Sequence, residues 1–238
     1  MRIRPALVPA LLVPLTLAVA CQAPNAGART VPRHDAETFF ATTAFTGASF
    51  SHDGKELLVT GDQSGVFNAY TLILEHGMLV PLTESTTNAV FSLSWFPDDR
   101  RILYTSDQGG NELNHLYVRE PDGTVHDLTP GEGLKAMFLG WSADERSFFA
   151  LTNERDPQFF DLYRYHFGPR PVEAAATEEV APGFERELLF RNPGGFDLSG
   201  VSRDGRWVAL TKTNTNADSD VFLAAVERPE ERRHVTPH

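Results

Sequence analysis

From Ala48 onward, one pattern of hydrophobic and polar positions is written four times. An apolar, aromatic stretch runs into a polar turn with an acidic residue, then an alternating apolar run, a polar loop and a second apolar run. The copies are "ASFSHDGKELLVTGDQSGVFNAYTL" from Ala48, "LSWFPDDRRILYTSDQGGNELNHLYV" from Leu93, "LGWSADERSFFALTNERDPQFFDLYRY" from Leu139 and "SGVSRDGRWVALTKTNTNADSDVFLAAV" from Ser199. The turn aspartates Asp53, Asp98, Asp144 and Asp204 stand 45, 46 and 60 residues apart, and the longest gap holds a polar insertion from Pro169 to Gly183. A closing apolar run ends most units: "GMLVPLTES", "GTVHDLTPG", "FERELLFRN" and "RRHVTPH". The Leu-Thr pairs in the first two of these end at Thr83 and Thr129, which keeps the period.

Runs such as "ELLVT", "RILYT", "SFFAL" and "WVALT" are β-branched or aromatic, which suits strands buried between neighbouring sheets. The turns before them ("HDGK", "PDDR", "ADER", "RDGR") carry Asp and often Gly, residues that tolerate tight-hairpin angles. No long amphipathic helical stretch competes; "DAETFFATTAF" from Asp35 can supply a turn of helix or a lead-in strand. About four short strands per unit of this length predict propeller blades. The fold class expected is all-β, a WD40-like β-propeller of about four blades over residues 36–238, drawn from a larger ring.

The first residues read differently. Arg2 and Arg4 precede an apolar run, Ala6 to Ala20, that is too short to span a bilayer and is interrupted by Pro9 and Pro14. Residues 1–20 are expected to be an export signal. Cys21, the one cysteine of the chain, follows directly, and "LAVAC" resembles a bacterial lipobox whose cysteine is acylated. Ordinary cleavage after Ala20 would leave a lone thiol in an oxidising compartment, which the placement of Cys21 argues against. Gln22 after the cysteine implies sorting to the outer membrane, facing the periplasm. Residues 21–35, rich in Pro, Gly and Ala, read as a tether from the lipid to the fold. Membrane contact is expected through this anchor only.

Composition narrows the partners. The 238 residues are 41% hydrophobic, enough for a real core, and carry a net charge of −11. No Lys/Arg cluster offsets that charge, which argues against nucleic acid.

The stretches "DAETFFATTAFTGASFSHDGKELLVTGDQSGVFNAYTL", "SDQGGNELNHLYV" and "TNERDPQFFDLY" together resemble the propeller of exported bacterial members of the prolyl oligopeptidase family, over roughly residues 35–238. That resemblance implies a propeller of seven or eight blades capping an α/β-hydrolase domain with Ser, Asp and His, the serine in a G-x-S-x-G elbow. About four blades are counted here, so the catalytic positions are expected to lie outside these residues.

The residues agree. An elbow needs a strand, G-x-S-x-G and then a helix. The near-matches "GWSAD" and "GVSRD" have Asp144 and Asp204 in the fifth place and lead into another strand. Ser51, Ser142 and Ser202 share one repeat position, as turn residues do and a nucleophile does not. No histidine pattern offers zinc ligands. His115, in the peptidase-like "NELNHLYV", is read as a hydrogen-bonding partner within its blade ahead of a substrate contact. Asn216–Asp220 offers alternating polar ligands but lacks the glycine and terminal glutamate of a calcium loop, and Ser106–Glu112 could also hold a cation; both are read first as exposed connections between strands. No catalytic, metal or cofactor residue is therefore assigned; Cys21, as the lipidated residue, is the one site. Two functions follow: the non-catalytic propeller portion of a serine peptidase, binding or gating peptides for a hydrolase domain or second polypeptide, or a stand-alone lipid-anchored module for a protein or peptide partner. Four blades of a larger ring would leave apolar faces open, which predicts that the isolated chain is marginal, self-associates or needs a partner.

Overall fold

The computed structural model describes residues 32–168 and 178–236. Residues 1–20, Cys21 and the tether up to residue 31 lie outside the described residues, as does the insertion from 169 to 177. Two compact units divide between Thr42 and Thr43. The first holds a short helix, α1 (Ala36–Phe40), capped by Asp35, whose carboxylate accepts the Thr38 N–H at 2.7 Å.

In the second unit the four repeats become four antiparallel sheets. Blade one comprises β1 (Phe45–Phe50), β2 (Glu56–Gly61), β3 (Asn68–Ile73) and β4 (Met78–Pro81). Blade two comprises β5 (Val90–Trp95), β6 (Ile102–Ser106), β7 (His115–Arg119) and β8 (Val125–Asp127). Blade three holds β9 (Ala136–Trp141), β10 (Ser147–Asp156), β11 (Phe159–Phe167), β12 (Glu178–Ala181) and β13 (Phe184–Phe190). Blade four holds β14 (Asp197–Val201), β15 (Trp207–Thr215), β16 (Asp218–Ala225) and β17 (Arg228–His234). Strands follow chain order within each blade except the third, where β12 adds a fifth strand outside β13. That strand comes from the polar insertion: Glu178 pairs opposite Arg186 of β13, and their side chains are bonded across the pair.

Strand alternation assigns the two faces of every blade. Counted from the residue that opens each turn (Ser51, Phe96, Ser142, Ser202), positions six and eight face the preceding blade and five, seven and nine the following one. Leu58 of blade one thus packs with Ile102 and Tyr104 of blade two. Leu103 packs with Phe148 and Ala150 of blade three, and Phe149 and Leu151 pack with Val208 and Leu210 of blade four. Three cores therefore lie between four blades, and each fully buried Phe or Leu in them contributes on the order of 2 kcal/mol. The middle core is the most aromatic: Phe148 stacks on Tyr165 at 5.0 Å, and Phe96 meets Phe167 edge-on at 4.9 Å. Polar links cross the same interfaces. Thr60 Oγ1 lies 2.7 Å from Ser92 Oγ, Trp141 Nε1 donates to Ser94 Oγ at 3.0 Å, and Ala143 N–H donates to the Arg203 carbonyl at 2.8 Å.

One expectation needs correction. "WVALT" is buried on one face only: Val208 and Leu210 are buried against blade three, but Trp207, on the face turned away from it, is 46% exposed.

Candidate functional site

The serines that raised a hydrolase question are turn residues. Ser142 Oγ donates to Asp144 Oδ1 at 2.6 Å and accepts the Ser147 N–H at 3.1 Å, while the same carboxylate oxygen accepts the Arg146 N–H. Ser51 with Asp53 and Ser202 with Asp204 repeat the arrangement at 2.7 and 2.5 Å. These hydroxyls are the largest cause holding all three carboxyls below the usual Asp value. The next turn residue is left-handed in each copy: Gly54 at φ 68°, Glu145 at 59° and Gly205 at 72°. Blade two departs from the motif, because Phe96 replaces the serine and enters the core; Asp99 then caps the Arg101 N–H and pairs with its side chain.

His115 belongs to a second repeated device, a latch that ties the start of each third strand to the chain after the fourth. In blade two His115 Nδ1 lies 2.9 Å from Asp127 Oδ2, Asp127 also accepts the Thr129 N–H, and Thr129 Oγ1 accepts the Leu116 N–H. In blade four the partners are exchanged: Asp220 stands where His115 does, and His234, 2.8 Å away, stands where Asp127 does. Thr236 there accepts the Val221 N–H, as Thr83 accepts that of Ala69 in blade one. A pair that swaps residues between repeats is holding strands together. The His115 ring stacks on Tyr117, which stacks on Tyr104 at 5.3 Å; burial pushes the Tyr104 hydroxyl up to about 12.

The acidic stretches bond to nearby residues of the chain, and Asp218–Asp220, expected in a connection, begin strand β16. Asp107 accepts the Glu112 N–H, and Asn214 Nδ2 donates to Asp218 and Asp220. Among the described residues no three His, Cys, Asp or Glu side chains are grouped to hold a metal ion. Nor is any described helix long and apolar enough to cross a membrane.

The peptidase-like stretches "SDQGGNELNHLYV" and "TNERDPQFFDLY" span the turns between second and third strands of blades two and three, together with the strand ends on either side. In an up-and-down blade these emerge at the same end as the links between blades. Hydrogen bonds tie the two kinds of connection together: Gly109 N–H donates to Asn88 Oδ1, and Arg155 Nη2 to the Asn192 carbonyl. At this end of blade three lies a cleft of about 640 Å³ lined by Glu154, Arg155, Asp161, Tyr163, Glu178 and Arg186 among others. Buried Asp161 receives a bidentate pair from Arg155 at 2.6 and 2.8 Å and the Asn192 N–H at 2.8 Å. Arg186 bridges Glu154 and Glu178 and lies 4.9 Å over the Tyr163 ring. The lining offers carboxylates, guanidiniums and a phenol, groups that exchange charged and polar hydrogen bonds. Sequence reading missed this network because Glu154, Arg155 and Arg186 look like ordinary surface charges until the fold brings them together.

No family model matches the chain. A dipeptidyl aminopeptidase BIII from Pseudoxanthomonas mexicana is 28% identical over 184 residues, which cover 72% of this chain and 27% of that protein. The chain is similar to the propeller of prolyl oligopeptidase-type peptidases. It spans about a quarter of that relative's length. A prolyl oligopeptidase B from Galerina marginata superposes with a TM-score of 0.55 at 10% identity, over 82% of this chain and 27% of that one. TolB from Acinetobacter baumannii gives 0.52 at 17% identity, over 82% and 44%. At such identities these structures establish the propeller fold and nothing further.

Proposed function

We propose that the chain is the propeller portion of a serine peptidase of the prolyl oligopeptidase family, binding or gating peptides without cleaving them itself. The similarity to a dipeptidyl aminopeptidase supports this reading most directly. The paired charges of the blade-three cleft, at the end carrying the peptidase-like connections, suit a peptide's backbone and termini. Export behind residues 1–20, acylation of Cys21 and attachment to the outer membrane facing the periplasm belong to the same proposal; radiolabelled palmitate incorporated by the chain and not by Cys21→Ser would support them.

The test is a titration of the purified chain with fluorescent proline-containing peptides, alongside chromogenic dipeptides. Saturable binding with no turnover is expected. Turnover that co-purifies with the chain would overturn the assignment of catalysis to other residues, and absence of binding would remove the gating role. The same charged cleft also suits a stand-alone lipid-anchored module. Binding to a folded protein partner in preference to short peptides would favour that second reading.

A further inference from the structure

Between blades three and four, at the end opposite the peptidase-like connections, a cavity of about 610 Å³ opens beside the Ser–Asp turns. Its walls are the turn of blade three, the turn of blade four and the end of β11, so two adjacent described blades give it its shape. Three guanidiniums line it, those of Arg146, Arg164 and Arg203, together with the His166 imidazole. All are short of partners. Arg146 bonds through its backbone, and its side chain has no ion-pair or hydrogen-bond partner among the described residues. Arg203 reaches Glu145 only at 3.8 Å, with both side chains more than half exposed. Arg164 meets buried Glu187 and the Asp204 carbonyl at 3.3 Å each, while its Nε is buried without a partner. His166 Nε2 stands 3.4 Å from the same Glu187 oxygen, so one carboxylate serves both side chains.

The nearby aspartates do not fill the gap. Asp144 and Asp204 also line the cavity, but each commits an oxygen to its own turn, to a serine hydroxyl and to the N–H two residues on. In a chain with 32 acidic against 21 basic residues, three arginines facing one cavity with so few carboxylate contacts run against the overall balance. Like charges around one space repel, and an anion between them relieves the repulsion. Guanidiniums hold phosphate oxygens through paired N–H donors and keep their charge at any ordinary pH.

We propose that this cavity binds the phosphoryl group of a small phosphorylated ligand, with Arg146, Arg164 and Arg203 donating to its oxygens. A tetrahedral phosphoryl group presents oxygens in several directions, so it can meet donors from both blades, which a flat carboxylate does less well. The volume falls within the roughly 300–1,000 Å³ of small-molecule sites. The bound anion would bridge the two turns, beside the Ala143-to-Arg203 hydrogen bond that already joins them. This inference does not rest on the peptide reading, which concerns the other end of the blades.

The experiment is titration calorimetry of the full chain, produced without export, with inorganic phosphate and with glycerol phosphate, at constant ionic strength set by chloride. Saturable one-to-one binding is expected, with Tm rising as ligand is added. Arg146→Gln and Arg203→Gln, both in exposed turns, should each weaken binding at least about tenfold, the factor that one charge-assisted hydrogen bond carries. Arg206→Gln removes the same charge just outside the cavity and should change affinity by less than about twofold, since salt screens an exposed charge. Circular dichroism checks that each variant is folded. Vesicles of phosphatidylcholine with and without phosphatidic acid separate the sources of the phosphate. Flotation that needs both phosphatidic acid and Arg146 places it on a lipid; phosphate binding without flotation places it on a soluble ligand. No saturable binding by the native chain, or equal weakening by Arg206→Gln and Arg146→Gln, would overturn the proposal.

Discussion

Replacing Ser142 with alanine separates a turn residue from a nucleophile by energy. The hydroxyl donates to Asp144 at 2.6 Å and accepts the Ser147 N–H at 3.1 Å, and both serines are buried. A hydrogen bond to a charged group contributes about 1.5–3 kcal/mol, and a buried N–H left without its acceptor costs about 1–3 kcal/mol. Part of the second cost is recoverable, since water can reach the exposed Asp144 side of the turn. The net loss expected is about 2–3 kcal/mol. For a chain of this size each kcal/mol moves Tm by roughly 2–4 °C, so Ser142→Ala should lower it by about 5–10 °C. Ser202→Ala, at an exposed turn, should cost about 1 kcal/mol, near the typical net value of one hydrogen bond. Urea unfolding monitored by tryptophan fluorescence gives both differences. A Ser142→Ala change below about 0.5 kcal/mol, the range of an uninvolved surface site, would refute the reasoning. So would loss of a hydrolytic activity at unchanged stability.

Other outcomes follow from the same geometry. Gly205→Ala and Gly54→Ala meet similar left-handed strain, at φ 72° and 68°, but a Cβ at Gly205 would displace the Arg164 guanidinium and stand 3.1 Å from the buried Phe149 ring, while one at Gly54 meets nothing within 4 Å. Gly205→Ala should therefore be the more destabilising of the two by about 1–3 kcal/mol in urea titrations, and equal costs would contradict the packing. Arg155→Met strands the buried Asp161 carboxylate with one N–H partner; a loss of about 3 kcal/mol is expected by calorimetry. The carboxyls of Asp53, Asp144 and Asp204 sit below the ordinary 3.8 in the folded chain, so their contribution is complete above that value and is lost as pH falls through the folded values. Tm measured from about pH 5 down to 2 should fall, less steeply in Ser142→Ala.

How much of this was legible in the sequence depended on whether a residue's role is local. The four repeats, their strands and the Ser–Asp turns are set by near neighbours, and "SADERS" and "SRDGRW" spell them out. The Leu-Thr spacing carried the latch as well, since each threonine caps the third strand of its own blade. Long-range roles were not legible. Glu178 belongs to a polar insertion and reads as loop, yet it forms a fifth strand because Arg186 sits opposite to pair with it. Glu145 occupies a left-handed position that its side chain does not advertise. Whether Trp207 is buried depends on a blade beyond the one that carries it.

The placing of three cores between four blades also has a kinetic consequence. No blade contributes both of its faces to a core until its neighbours on either side are present, so order should spread from the centre as in a one-dimensional chain of coupled units. Blades two and three, sharing the aromatic core around Phe148, should hold their amide protons longest. β17, exposed along nearly all its length, should release them first, and the loss should then travel inward one blade at a time.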